Sequence, residues 1–384
     1  IYHIKTEAFE KNVLSGVECT SKEKAEKIFK TKQARTRKQQ MHLHIIQGLG
    51  AAAAVALICA AGIWGSHLSQ LNKEKEQLAE ARALYHNQGL LESEVLDSTH
   101  DLVKGEYILY RDRVCMRYTV KDEDLNKMIS TYQEIDNIVP KDIQMHMMVV
   151  PLRIQYETGV ESYLNQMKEK MQQFYDALPE SYNKINLFDG LYPYQDRYIF
   201  YRTENCWTSE GAYYGAKLMM ESMGSSLPEL TDYLEYMYNS FHGAAWKQVK
   251  EKITSKKYTD KIYYYLLPNS KTVESLTVEN DEDQMITRTE PIISKSRAGI
   301  SSFIGGRFHQ ATFEGGIYNG KTILVIGDSN ADVIASYFLS EYEKVIVING
   351  VYNKYDKESF LALLKDEHVS DILFVQGPES FSKL

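Results

Sequence analysis

KTILVIGDSNADVIASYFLSEYEKVIVING, residues 321–350, is the stretch that decides the fold. Thr322 to Ile326 is apolar on both faces and rich in β-branched residues, as a strand buried inside a parallel sheet must be. Ala331 to Tyr342 has helical spacing, and Val345 to Ile348 is a second apolar, β-branched run. Further on, Glu358 to Leu364 predicts a last helix and Asp371 to Val375 a last strand. This βαβαβ order predicts an α/β fold, a parallel sheet with helices on its faces.

Upstream, Tyr107 to Tyr110 and Val114 to Val120 have strand composition, and Asp122 to Ile135 spaces Leu125, Met128, Ile129 and Tyr132 as a helix does. Met145 to Val150 predicts a strand ended by Pro151, and Tyr163, Met167, Met171 and Tyr175 mark another helix. Short strands are expected at Ile185 to Phe188 and Tyr198 to Arg202. A helix then opens at Trp207, with Thr208 or Ser209 placed to cap it. From about residue 225 to 319 the pattern turns irregular and polar, and reads as an insertion.

Ile45 to Gly65 (IIQGLGAAAAVALICAAGIWG) carries no charge and is long enough as a helix to cross a hydrocarbon core of about 30 Å. Lysines and arginines crowd its N-terminal flank, with no acidic residue between Glu26 and Glu74. The positive-inside rule therefore predicts a single-pass cell-membrane protein with a cytoplasmic N-terminus. The expected order is a basic cytoplasmic tail over 1–44, a transmembrane helix over 45–65, a stalk over 66–100 and an extracytoplasmic domain over 101–384. The net charge of −8 speaks for solubility, and nothing global suggests nucleic acid. Cys19, Cys59, Cys115 and Cys206 are too few and too scattered for a disulfide framework or a zinc site; a Cys115–Cys206 bridge lacks support. No phosphate loop or dinucleotide fingerprint is present, so no cofactor and no metal are expected.

Gly327-Asp328-Ser329-Asn330 falls where the strand ends and the helix begins, so Ser329 is presented at the carboxyl edge of the sheet, where open α/β sheets hold their sites. Backbone N–H groups at the following helix start can stabilise an oxyanion, as ester chemistry requires. The competing reading is that Asp328 or Ser329 merely caps the helix.

A second constellation, YRTENCWTSEGAYY over 201–214, runs from the expected strand into a helix. It resembles the signature of the DHHW proteins, bacterial envelope proteins of the SGNH-hydrolase-like superfamily related to proteins that O-acetylate alginate. In that signature Y-R-T precedes D-H-H-W, and T-x-x-G-A-Y-Y follows. The GDSN turn is similar to the family's serine-bearing turn, Phe303-Ile304-Gly305-Gly306 to its F-x-G-G element, and Asp371 to Val375 to its closing strand.

The resemblance implies an SGNH-hydrolase-like parallel sheet flanked by helices, and a catalytic triad at Ser329, Glu204 and Cys206 beside Asp328. Arg202, Asn205, Trp207, Gly305 and Gly306 are the implied substrate-binding positions. Only the serine of the triad is kept. A carboxylate survives at Glu204 on a longer arm, and a thiol near its ordinary pKa of about 8.5 cannot shuttle a proton as an imidazole does.

Two rescues are open: His309 or His242 as base, or Cys206 as nucleophile. The tyrosines at 192, 194, 198, 201, 213 and 214 are either stacking platforms for sugar rings or core packing. The expectation is thus a membrane-anchored envelope protein linked to polysaccharide O-acylation, weak or inert as a catalyst. The alternatives are an active serine O-acetylesterase or acetyltransferase with a rearranged base, and a glycan-binding or scaffold partner of a membrane-bound O-acyltransferase. An envelope polysaccharide is the expected ligand in each case.

Overall fold

The computed structural model describes residues 103–110, 113–157, 167–250, 259–266, 276–279, 285–288, 299–304, 310–349 and 356–383, with Ser69 and Lys73 upstream. The chain divides into two units, Ile1–Glu76 and Gln77–Leu384. Of the first, only Ser69 and Lys73 are described, both helical and exposed. Among the described residues no helix is long and apolar enough to cross a membrane. The Ile45–Gly65 stretch and its basic flank lie outside the described residues.

The described residues of the second unit begin with an antiparallel ribbon of β1 (Val103–Lys104), β2 (Tyr107–Tyr110) and β3 (Arg113–Met116). Helix α1 (Asp122–Ile138) has three acids in its first turn, which favours that end of the helix dipole. It leads to β4 (Gln144–Val149), α2 (Met167–Ala177), β5 (Tyr182–Ile185) and a single turn, α3 (Leu187–Gly190). The strand expected at Ile185 to Phe188 is corrected here: it ends at Ile185. Asn186 caps the helical turn by accepting from the N–H groups of Phe188 and Asp189. Helix α4 (Ser209–Ser222) begins at the cap Thr208, whose side chain accepts from Gly211 N–H.

The middle region forms a hairpin, β6 (Leu234–Phe241) with β7 (Asp260–Leu266), around α5 (Ala244–Val249), followed by β8 (Leu276–Glu279), β9 (Met285–Arg288) and β10 (Gln310–Glu314). The closing run is β11 (Thr322–Gly327), α6 (Ser329–Ile334), β12 (Lys344–Asn349), α7 (Lys357–Asp366) and β13 (Val369–Gln376).

The main sheet has eight strands in the order β5-β4-β13-β11-β12-β10-β8-β9. The first five are mutually parallel, whereas β10, β8 and β9 pair antiparallel. The sheet is therefore mixed, not purely parallel as expected, because strands of the middle region extend it beyond β12. Side chains alternate between two cores, as period-2 strands dictate. Val325, Val347, Leu373 and Met148 meet α4 and α6 on one face. Leu324, Ile346, Phe374 and Met147 meet α1 and α2 on the other.

Candidate active site

Strand β11 ends on a glycine for a steric reason: a Cβ at Gly327 would stand 1.8 Å from the Val375 carbonyl oxygen. The next residue, Asp328, is extended and caps α6. Its carboxylate accepts from Asn330 N–H (2.9 Å) and Asn330 Nδ2 (2.8 Å) through one oxygen, and from Gly377 N–H (2.8 Å) and Ser380 Oγ (2.6 Å) through the other. Capping thus occupies Asp328 fully. Ser329 follows as the first helical residue, half-buried at the carboxyl end of β11. Among the described residues its hydroxyl has no hydrogen-bond partner, and it lines a cavity of about 700 Å³ shared with Glu204 and Asn205.

The 201–207 segment is not the strand expected at Tyr198 to Arg202. One bridge remains of that strand, Phe200 to Trp207, and the chain between them bends into a loop because a buried aspartate takes the N–H groups of Arg202 and Thr203. Asp260, the first residue of β7 and 1% exposed, accepts from Arg202 N–H and Thr203 N–H, both at 2.7 Å, and from the hydroxyls of Thr203 and Tyr198. Thr203 Oγ in turn accepts from Gly243 N–H at 2.9 Å.

Glu204 is spread between two backbone donors, Asn205 N–H at 2.9 Å and Ala244 N–H at 2.7 Å. The second is the first residue of α5, whose own N-cap position, Gly243, offers no side chain. The longer arm of glutamate thus caps a helix from across the chain. Burial raises the Glu204 carboxyl above its usual range, against the pull of those N–H groups.

Cys206 is 2% exposed, it forms no disulfide with Cys115, and the two thiols belong to opposite cores. Burial, then the carboxylates of Glu204, Asp328, Asp332 and Asp260, push the Cys206 thiol well above its ordinary pKa. Those forces suppress the thiolate that nucleophilic attack requires.

Trp207 is fully buried. Its indole N–H donates to the Asn330 carbonyl at 3.1 Å, and its ring lies where a Cβ on Gly215 would be. It holds the serine turn to the 201–207 loop and does not line the cavity. Arg202 also lies off the cavity lining, its guanidinium 5.7 Å over the Tyr198 ring and its carbonyl accepting from Val114 N–H. Gly305, Gly306 and His309 lie outside the described residues. His242 is exposed and stacks on Trp246 at 4.7 Å.

The buried imidazole of His146 is bonded to Asp371 at 3.1 Å and to Asn183 at 3.1 Å. Asp371 sits near the start of β13, whereas Val375, beside Gly327, is near its end, so this pair is at the opposite edge of the sheet from Ser329. Among the described residues, no imidazole lines the Ser329 cavity.

Of the six tyrosines singled out from sequence, Tyr198, Tyr201, Tyr213 and Tyr214 are buried, Tyr194 stacks on Tyr214 at 3.6 Å and Tyr192 is exposed. Among the described residues, the tyrosines on the cavity are Tyr107 and Tyr118. Sequence reading also missed Asp260 and Asn330. Both act on backbone groups far away in the chain, which no local spacing encodes.

The sequence matches the DHHW protein family over residues 104–348. This chain belongs to the DHHW family. A DHHW family protein from Eubacterium siraeum has a similar structure, with 20% identity, a TM-score of 0.63, and 73% of this chain and 94% of that one covered. Bacillus cereus PatB1 with a sulfonyl adduct is similar at 14% identity and a TM-score of 0.56, covering 73% of this chain and 95% of the other. PatB1 in a second structure gives a TM-score of 0.55. No curated protein matches the chain. Where the signature reads D-H-H-W, this DHHW chain has Glu204-Asn205-Cys206-Trp207.

Proposed function

We propose that this DHHW chain is a membrane-anchored cell-envelope protein that binds polysaccharide at an SGNH-like site linked to O-acylation, and that the site is chemically disarmed. Membership of the family supports the envelope and O-acylation parts of the reading. The uncharged stretch Ile45 to Gly65, with its basic flank, supports the anchor, a cytoplasmic N-terminus and an extracytoplasmic domain from residue 101. A role beside a membrane-bound O-acyltransferase follows if the chain presents glycan instead of acylating it.

One observation carries the inert reading: among the described residues, Ser329 faces the cavity with no imidazole on its lining to take its proton. In an armed site the serine hydroxyl attacks an acyl carbonyl while an imidazole removes its proton and a carboxylate orients that imidazole. Here the imidazole position holds a buried thiol held protonated, and the carboxylate serves two backbone N–H groups. The direct test is release of p-nitrophenol from p-nitrophenyl acetate by the full chain. The expected rate equals that of Ser329→Ala; a Ser329-dependent rate would sink the inert reading in favour of an active serine enzyme with a rearranged base.

A further inference from the structure

The cavity has one wall that the family signature does not supply. Glu106, Tyr107, Tyr118, Lys121 and Asp124 reach it from the β2–β3 ribbon and the segment leading into α1. This wall is fixed in place. Val114 N–H on β3 donates to the Arg202 carbonyl at 2.7 Å, and Arg113 pairs with the buried Glu157 at 2.7 Å. The Tyr107 hydroxyl accepts from Asn205 Nδ2 at 3.2 Å, while its ring packs on Val114, Ala245 and Val249. Tyr107 is therefore held at both ends before any ligand arrives, and Tyr118 joins it half-exposed on the same cavity.

Aromatic rings with amide and hydroxyl groups around them, here Asn205, Asn349 and Ser380, suit a sugar ring, which has apolar faces and a polar rim. The charge on the lining is one-sided. Glu106, Asp124, Glu204, Asp328 and Glu379 stand against Lys121 among the described residues. A uronate bound there would bring its own carboxylate into a negative field in a partly desolvated site, where like charges are costly.

We infer that the ribbon wall around Tyr107 and Tyr118 is the saccharide subsite, and that it accepts uncharged or amine-bearing hexose units and rejects uronate polymers. This rests on the reading of the cavity as a polysaccharide site.

The test is calorimetric titration of the full chain with an N-acetylglucosamine oligomer and with a mannuronate oligomer of equal length. The N-acetylglucosamine oligomer binds, and the mannuronate oligomer does not. Tyr107→Ala weakens binding about tenfold, while Tyr107→Phe, which keeps the ring, weakens it less than about threefold. Tyr118→Ala, at a half-exposed position, gives an independent loss if Tyr107→Ala fails to fold. Glu106→Lys combined with Asp124→Lys admits the mannuronate oligomer, with an affinity that falls as salt rises. Mannuronate binding to the wild type as tight as N-acetylglucosamine binding would overturn the charge selection and leave the saccharide reading standing. Binding of neither would overturn both.

Discussion

At position 206 a thiol and an imidazole differ in what they can do with a proton. Burial first, then four nearby carboxyl groups, keep the Cys206 thiol protonated at neutral pH. Maleimide at pH 8 is therefore expected to leave Cys206 unmodified in the folded chain and to modify it after denaturation, read by peptide mass mapping; native modification would count against a suppressed thiol. Asp332, one turn beyond Asp328 on α6, is buried, with its Oδ1 unpartnered among the described residues, and burial followed by the charge of Asp328 raises its carboxyl well above the usual range. A raised carboxyl binds its proton more tightly when folded than unfolded, so stability declines as pH rises above the unfolded value of about 3.9. Asp332→Asn should then stabilise the fold by on the order of 1 kcal/mol at pH 8 and by less at pH 4, measured by urea unfolding. The sequence made the serine turn and the altered D-H-H positions legible because each is a local pattern. Asp332 and Asp260 were not, since their importance lies in burial and in distant backbone donors.

Between elements, the β2–β3 ribbon is joined to the body by a buried ion group. Glu157 accepts from Arg113 at 2.7 Å and from Arg153 at 2.8 Å, and Arg153 also donates to the Phe200 carbonyl. Burial alone would raise the Glu157 carboxyl, but the two guanidinium groups outweigh it and hold it below its usual range. Its contribution is present above the unfolded pKa and is lost as pH falls through the lower folded one. Glu157→Ala leaves two buried cations without their anion and is expected to cost about 3 kcal/mol by chemical denaturation, with the ribbon amides losing hydrogen-exchange protection first. Glu204→Asp shortens the arm that caps α5, and about 1 kcal/mol of stability should go with it. The closing βαβαβ run was readable because its strands are apolar on both faces. Tyr198 to Phe200 has the same apolar, aromatic character, yet Asp260 takes the N–H groups of Arg202 and Thr203 just beyond it, and only the Phe200–Trp207 bridge forms. Asn186 had the chemistry of a cap in plain view, but a strand reading extended across it.

For the whole molecule, four of the five parallel strands that carry the serine turn follow from sequence periodicity, whereas the edge strand β5 lies three residues before its expected place and the three antiparallel strands that widen the sheet come from a region without clear period. Their register depends on pairing with β12 through β10, a long-range contact that composition does not encode. The same middle region sends Asp260 and the start of α5 to the 201–207 loop, so the part that reads as an insertion also shapes the site. The central proposal is that the serine turn is intact and that the thiol at 206 disarms its proton shuttle. Fluorophosphonate labelling of the full chain tests it directly, comparing wild type with Ser329→Ala and with the combined Glu204→Asp, Asn205→His and Cys206→His variant. The predicted result is no Ser329-dependent labelling of the wild type, with labelling of Ser329 in the combined variant. Wild-type labelling that disappears in Ser329→Ala would contradict the account.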